Sequence, residues 1–284
     1  MSNTNTIPLY GPNILLEGPS GTGKTYSLGT LVDWAQAHEM KVRALFTENG
    51  LESLLGYWSD RGRDVPPCLA YHQQLTVPIN LSRLLKAAEN IGKLDFKAIS
   101  NIQDNERSGE QNAFYKILQT CANFPDDRTG ELLGSVDSWG TDTIFLLDSL
   151  SELANACMKM VIGAKPTASQ SDYGVAQNNL MNFLRLCTQG IKCTFVLVAH
   201  VDRSTDQITG QQKIMTKAIG QAIAGDIPPL FSDTIYTTRE GAEFWWDTAA
   251  YGVDTKTRSL GYRSKIKPDF AQIMDLWLAR GSQS

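Results

Sequence analysis

The chain has 284 residues, of which 42% are hydrophobic and 20% are charged, and its formal net charge is −4. No run approaches the roughly 18 apolar residues that a membrane-spanning helix needs, so a membrane protein of that kind is excluded. The acidic charge argues against a broad basic face for nucleic acid. The five cysteines form no CxxC pair, which argues against a zinc or thiol redox motif. We therefore expect a cytoplasmic protein that does not enter a membrane.

The first half of the sequence alternates short apolar runs with stretches of helical periodicity. The predicted strands are residues 13–17 (NILLE), 41–47 (KVRALFT) and 69–74. The predicted helices are residues 24–38, 51–61 and 81–91. Strands that alternate with helices at this spacing predict βαβ units, right-handed crossovers and a mostly parallel sheet.

The second half opens with residues 92–141, which are polar apart from a helical patch at residues 111–122. The next segment, Thr143–Asp148 (TIFLLD), has the continuous apolar character of a strand buried on both faces of a sheet. A helix over residues 173–189 and a strand over residues 192–200 are predicted to follow.

The last quarter of the chain changes character. Residues 234–238 and 242–247 flank Arg239-Glu240-Gly241 and predict a β-hairpin, and a short helix over residues 270–280 follows. The fold class is therefore predicted as α/β, with one domain built on a mostly parallel sheet. The predicted parts are a core at about residues 8–230, an insertion at residues 92–141 and a small C-terminal β extension at residues 231–284.

Residues 18–25 (GPSGTGKT) match the pattern G-x-x-x-x-G-K-[ST] between a predicted strand and a predicted helix. Glycines let such a loop aim its N–H groups at phosphate oxygens, and the helix N-terminus adds its positive dipole end. Lys24 would reach the β- and γ-phosphates, and the Thr25 hydroxyl would ligate Mg²⁺. A chance match is expected in roughly one chain in a hundred of this length. The candidate nucleotide-binding residues are Gly18, Pro19, Ser20, Gly21, Thr22, Gly23, Lys24 and Thr25.

Acidic residues at strand ends are the candidates for metal binding and water activation. Asp148 ends the strand TIFLLD, where a carboxylate would hold Mg²⁺ beside Thr25, although a lone aspartate there can also be a turn residue or a helix cap. The position after Asp148 is Ser149 and not a second carboxylate. The candidates for orienting the attacking water are therefore Glu152, four residues beyond Asp148, and Glu48, at the end of KVRALFT.

The segments LLEGPSGTGKT, ALFTENGLESL and FLLDSLSEL together resemble the RecA-like P-loop ATPases. Within that superfamily the chain is most similar to the short phage-encoded single-strand annealing ATPases of the Sak4 type. IAGDIPPLFSDTIYTTREGAEFWWDT and TKTRSL add to this similarity, which covers most of the chain outside residues 75–141. The resemblance implies a RecA-like P-loop NTPase core, ATP and Mg²⁺ as cofactors, Glu48 as the water-activating residue, and assembly into rings or filaments.

The resemblance also implies roles for the regions that follow the strands. His200, at the end of a strand, would sense the γ-phosphate, although that family usually has Gln or Asn there and a hydrogen-bonded core histidine is the alternative. Residues 201–217 occupy the place of a mobile DNA-binding loop, and residues 163–172 could line the same channel. Plain surface loops are the alternative for both segments. Tyr173 is the only aromatic residue near them, which counts against DNA binding by stacking.

A basic run near the end of the chain suggests a contribution to a neighbouring subunit. Residues 255–267 (TKTRSLGYRSKIK) contain five cations and no acid. Because RecA-like subunits insert basic residues into the neighbour's nucleotide site, Arg258 and Arg263 are candidates for this role. A solvated basic strand edge is the alternative.

Three functions are consistent with these features. The first is an ATP-hydrolysing RecA-like protein that binds single-stranded DNA and acts in phage DNA recombination or annealing, in the host cytoplasm if the protein is phage-encoded. The second is a nucleotide-dependent assembly or loading ATPase that acts on a protein partner, which the acidic charge favours. The third, a small-molecule kinase, is disfavoured by Ser149 and by the C-terminal hairpin.

Overall fold

A computed structural model describes residues 10–75, 82, 85, 112–163, 165, 167–205 and 212–281. Its strands are β1 (Asn13–Glu17), β2 (Lys41–Phe46), β3 (Leu69–Gln73), β4 (Thr143–Asp148), β5 (Thr194–Ala199), β6 (Val201–Thr205), β7 (Gln212–Thr216), β8 (Asp233–Glu240) and β9 (Glu243–Asp247). The central sheet has seven strands in the order β3-β2-β4-β5-β1-β8-β9. All neighbours in it are parallel except the β8–β9 pair. Strands β6 and β7 form a separate antiparallel pair.

Helices cover both faces of the central sheet. They are α1 (Lys24–Ala37), α2 (Leu51–Ser59), α3 (Ala113–Ala122), α4 (Leu150–Ile162), α5 (Gln170–Arg185) and α6 (Ala271–Gly281). Successive strand residues point to opposite faces, so Leu15 joins the core beneath α3, α4 and α5, whereas Ile14 and Leu16 join the core beneath α1, α2 and α6. The central strands β4 and β5 are buried along their whole length because both faces of the sheet are covered.

The predicted fold class is confirmed: the chain has an α/β fold with a mostly parallel central sheet and a C-terminal hairpin. The strand Thr143–Asp148 has the predicted bounds, and the other predicted strands agree with β1, β2, β3 and β5 to within two residues at each end. The first strand of the hairpin, β8, pairs with β1 and so continues the main sheet. Apart from residues 82 and 85, the predicted helix 81–91 lies outside the described residues.

Two segments differ from the sequence expectation. Residues 201–217, predicted as a mobile loop, contain β6 and β7, with residues 206–211 outside the described part. The pair has few buried side chains, so it lacks the apolar alternation that predicts a strand. Helix α5 begins three residues before the predicted start, because Ser169 and Asp172 form a capping box.

Part of the predicted insertion belongs to the core. Phe124 contacts Trp139 with ring centroids 5.5 Å apart, and Trp139 contacts Phe145 of β4 at 5.8 Å. Helix α3 buries Phe114 and Ile117 in the same cluster. Residues 112–141 therefore cover one face of the sheet, whereas residues 92–111 of the predicted insertion lie outside the described residues.

A buried carboxylate ends β1. Glu17 is 1% exposed and accepts a hydrogen bond of 2.7 Å from the Thr216 hydroxyl at the end of β7. Burial raises the pKa of Glu17 from 4.5 to about 7, the Thr216 hydrogen bond lowers this pKa, and Asp254 raises it further. Since the native state binds this proton more tightly than the unfolded chain, Glu17 makes stability fall as pH rises from 4.5 to about 7.

We expect Glu17→Gln to remove this pH dependence. Relative to the wild type, the variant should gain stability as pH rises from 4.5 to 7, by at most about 3 kcal/mol, because the amide cannot ionise. Denaturant unfolding at pH 5 and pH 8 measures the difference. The matched control is Glu243→Gln, which removes an exposed carboxylate from β9. An equal effect of both substitutions at both pH values would contradict this reading of Glu17.

Candidate functional site

The loop between β1 and α1 is shaped to receive an anion. Gly23 precedes α1 with a φ of 77°, a left-handed conformation that favours glycine, and no side chain caps this helix. The first amide groups of α1 are therefore available to a ligand, and the helix dipole adds positive potential at the same place.

The β8–β9 hairpin packs directly against this loop. A Cβ atom on Gly18 would lie 2.2 Å from the Thr237 hydroxyl oxygen, and one on Gly23 would lie 2.6 Å from the Phe244 ring. The Thr22 and Thr237 hydroxyl oxygens are hydrogen-bonded at 2.6 Å. Larger residues at these glycines would separate the loop from the hairpin, so the hairpin forms one wall of the site.

Lys24 is folded back on the loop. Its Nζ atom donates to the carbonyl oxygens of Gly18 at 2.8 Å and Pro19 at 2.7 Å. Burial lowers the pKa of Lys24 to about 8, while Asp148 and Glu48 act in the opposite direction. The side chain is thus cationic at neutral pH and already lies at the centre of the loop.

Asp148 and Thr25 form a donor set for a hard divalent cation. The Thr25 hydroxyl donates to Asp148 Oδ2 at 2.6 Å. Asp148 is fully buried, and its Oδ1 atom has no hydrogen-bond partner among the described residues. Burial raises the pKa of Asp148 to about 6. A buried carboxylate oxygen without a partner, beside a hydroxyl, fits Mg²⁺, which prefers oxygen ligands.

Thr47 holds the ends of β2 and β4 together. Its amide donates to the Asp148 carbonyl at 2.7 Å, and its hydroxyl accepts from the Ser149 amide and donates to the Ser149 carbonyl, both at 3.0 Å. The peptide bond between Asp148 and Ser149 is cis. Gly50 lies against the same carboxylate, since a Cβ atom there would be 2.7 Å from Asp148 Oδ2.

Glu48 and His200 meet across the end of β4. Glu48 follows β2, His200 follows β5, and their Oε1 and Nε2 atoms are 3.4 Å apart. The contact with His200 lowers the pKa of Glu48, and burial opposes it. Both side chains are partly exposed and line one cleft with Lys24. An ionised carboxylate in this place can accept a hydrogen bond from a water molecule beside the phosphates.

The cleft has a volume of about 950 Å³ and also receives Arg239 from the end of β8. A Cβ atom built on Gly21 would lie 3.9 Å from the Nη1 atom of Arg239. Within the described residues the Arg239 side chain makes neither a hydrogen bond nor an ion pair. Arg239 was predicted only as part of the hairpin turn. No local pattern in the sequence places Arg239 in the site, because its position depends on the pairing of β8 with β1.

Comparison with protein families decides the class. A family model described as an AAA domain matches residues 11–265, which is most of the chain. The chain belongs to this AAA domain family of P-loop ATPases. Comparison with curated proteins gives no match. Within the described part of this AAA ATPase domain, no helix is long and apolar enough to cross a membrane.

Other predicted site residues of the AAA domain lie away from the cleft. Glu152 is in the first turn of α4 and accepts a hydrogen bond of 3.1 Å from Asn155. The Arg258 amide bonds to Asp233 at the start of β8, which is the opposite end of the sheet. The exposed Arg263 side chain donates to Gln272 at 3.5 Å. Neither arginine lines the cleft of its own subunit, so a role in a neighbour's site stays a prediction.

Removing the Thr47 hydroxyl should loosen the site. In Thr47→Val the buried Ser149 amide loses its hydrogen-bond acceptor, so we expect the free energy of unfolding to fall by about 1–3 kcal/mol. We also expect slower nucleotide hydrolysis, because Glu48 is the next residue and its position depends on Thr47. Thr47→Ser keeps the hydroxyl and is the matched control. Denaturant unfolding and steady-state hydrolysis measure the two effects. If Thr47→Ser lowers stability and hydrolysis as much as Thr47→Val does, the hydroxyl group does not hold the strand ends together.

Proposed function

We propose that this protein is a Mg²⁺-dependent, RecA-like ATPase that binds single-stranded DNA and acts in phage DNA recombination or annealing in the host cytoplasm. The observation that carries the ATPase part is the Glu48–His200 contact of 3.4 Å, in the cleft that also holds Lys24. Phosphate binding, metal binding and water activation would thus come from one edge of one sheet.

Different residues of the site have separate roles in hydrolysis. Lys24 exchanges the two loop carbonyl oxygens for phosphate oxygens, which are stronger acceptors because they are charged. Thr25 and Asp148 would hold Mg²⁺, which neutralises charge on the phosphates when it is bound. Glu48 orients the attacking water and accepts its proton, and Arg239 adds positive charge at the loop.

His200 links the nucleotide site to the β6–β7 pair. It directly precedes β6, and its carbonyl oxygen accepts a hydrogen bond of 2.8 Å from the Lys217 amide just after β7. Thr216 bonds to Glu17, immediately before the phosphate loop. A shift of His200 towards the γ-phosphate would therefore move the start of β6 together with the end of β7, which lie side by side. This supports a nucleotide-dependent binding surface there.

The residues that directly follow the two segments implied as DNA loops contact each other. Gln177 of α5 donates to the Ile219 carbonyl oxygen at 2.9 Å, just beyond β7. Tyr173, which is 42% exposed, approaches Gly220. Exposed Arg203 on β6 and exposed Lys217 supply positive charge on the segment of residues 201–217. The exposed cations favour single-stranded DNA, whose phosphates attract them, although Tyr173 is a single ring for base stacking.

Assembly is part of the proposal. Arg258 and Arg263 are exposed and lie outside their own cleft, so in a ring or filament they are available to the nucleotide site of a neighbouring subunit. Such a residue stabilises the charge that develops in phosphoryl transfer. Among the described residues of one subunit, the lysine and arginine side chains that line the cleft are Lys24 and Arg239, and a neighbouring subunit could add another.

A nucleotide-dependent assembly or loading ATPase that acts on a protein partner is the second candidate. Helix α3 exposes Tyr115 and Leu118, three residues apart on one helix face, and nearby Leu132 is 64% exposed. Exposed apolar side chains that share a face are a feature of protein-binding surfaces. The net charge of −4 also favours this alternative.

Substitution of Glu48 tests the assignment of the water-activating residue. Glu48→Gln should bind ATP as tightly as the wild type and hydrolyse it about 10²- to 10⁴-fold more slowly, because the amide cannot accept the proton. Glu152→Gln is the matched control and should retain turnover. Equilibrium ATP binding and steady-state phosphate release measure both properties. The reverse pattern would assign the role to Glu152 and exclude the RecA-like arrangement.

The DNA part is tested by ATP hydrolysis with single-stranded DNA, with duplex DNA and without DNA, at rising salt. We expect single-stranded DNA to stimulate turnover and the stimulation to fade with salt, since phosphate contacts release counterions. Lys24→Ala controls for contaminating activity and should show no turnover. Turnover that ignores DNA would contradict DNA coupling and favour the protein-partner alternative.

A further inference from the structure

We propose that Tyr26 and Phe244 form the platform on which the purine base of the bound nucleotide stacks. This inference rests on the proposed nucleotide site and adds the part of the ligand that the phosphate loop leaves undefined. Both rings line the same cleft as Lys24 and Thr25. No polar group assigned above would contact a base, so the cleft needs a separate surface for it.

The two rings lie where the nucleoside must leave the phosphate loop. Tyr26 directly follows Thr25 in the first turn of α1. The Phe244 ring covers Gly23, the residue that precedes that helix. Their ring centroids are 6.3 Å apart with an interplanar angle of 53°, so the rings are not stacked on each other. Both are only partly buried, which leaves aromatic surface open to the cleft.

Contacts with residues at the C-terminal end of α2 fix the position of the Tyr26 ring. Its ring packs edge-on against Tyr57 at 5.3 Å, and its hydroxyl accepts a hydrogen bond of 2.7 Å from Arg61. The Arg61 guanidinium lies over the Tyr57 ring at 3.9 Å. The Tyr26 hydroxyl donates to Asp60 at 3.3 Å. A ring fixed in this way loses little conformational entropy when a base stacks on it.

Helix α2 leaves room for a ring in the same cleft. Gly56 of α2 lines the cleft, and a Cβ atom built there meets no described atom within 4 Å. Asp60, one turn further on, also lines the cleft and offers carboxylate oxygens to the exocyclic amino group of a purine. Two aromatic rings, open space and an acceptor for an amino group are the features that a purine base requires.

Calorimetric titration with two Mg²⁺-bound ligands tests this inference: adenylyl imidodiphosphate, which has a base, and inorganic tripolyphosphate, which has none. The wild type should bind the nucleotide at least about tenfold more tightly than tripolyphosphate, since stacking on aromatic rings favours the base. Phe244→Leu keeps bulk over Gly23 but removes the ring, so it should weaken nucleotide binding roughly 5- to 100-fold. Tripolyphosphate binding should fall much less than nucleotide binding, because leucine keeps most of the bulk that supports the loop at Gly23. Phe244→Tyr, which keeps the ring, should lose less nucleotide affinity than Phe244→Leu.

A second variant fills the space for the base without touching Phe244. Gly56→Leu should weaken nucleotide binding at least about tenfold and leave tripolyphosphate binding unchanged, because the new side chain projects into open space. Gly174→Leu, at a helical glycine of α5 that is equally open, is the matched control and should bind both ligands like the wild type.

Other outcomes would overturn the inference. If Phe244→Leu and Gly56→Leu leave nucleotide affinity unchanged, the base does not lie on this platform. Equal loss of both ligands would show that these positions act on the phosphate loop. If the wild type binds both ligands equally well, the proposed phosphate site is supported and only the proposed base platform is contradicted. If it binds neither ligand, the proposed nucleotide site fails, and the platform fails with it.

Discussion

The hydrogen bond of 2.6 Å between the Thr25 hydroxyl and the buried Asp148 carboxylate determines much of the surrounding architecture. Burial of a carboxylate is costly unless its oxygens have partners, and here only one of the two has a partner among the described residues. The other oxygen, Oδ1, is therefore suited to bind a cation. The raised pKa of Asp148, about 6, has the same origin in burial. Thr25 binds the carboxylate directly, and the Thr47 amide holds the main chain of the same residue.

The order of the strands explains why distant residues meet. Parallel strands present their carboxyl ends at one edge of a sheet, which is where ligands bind in open α/β folds. Glu48 follows β2, Asp148 ends β4, His200 follows β5, and Arg239 lies near the end of β8. Because β4 lies between β2 and β5, the Glu48–His200 contact bridges the Asp148 strand end. A change in the order of the sheet would separate these groups even if every strand were kept.

The central part of this arrangement could be predicted from the sequence, because its residues sit in patterns with a direct physical cause. TIFLLD predicted a strand with the observed bounds, and the phosphate-loop pattern predicted the turn into α1. Arg239 could not be assigned, since its proximity to Gly21 depends on the pairing of β8 with β1, across more than 200 residues of sequence. The β6–β7 pair was missed because it buries little apolar surface, so main-chain pairing and not side-chain periodicity defines it.

The loop is preorganised, and this has a consequence for binding. Lys24 already occupies the centre of the loop, and its two hydrogen bonds to carbonyl oxygens satisfy the ammonium group without a ligand. A triphosphate therefore needs to displace one side chain from two neutral acceptors and does not need to fold the loop, because Thr237 and Phe244 already support its backbone. Binding free energy that would be lost to ordering is retained. The hairpin thus contributes to phosphate affinity through the loop it supports, even though most of its residues contact no phosphate.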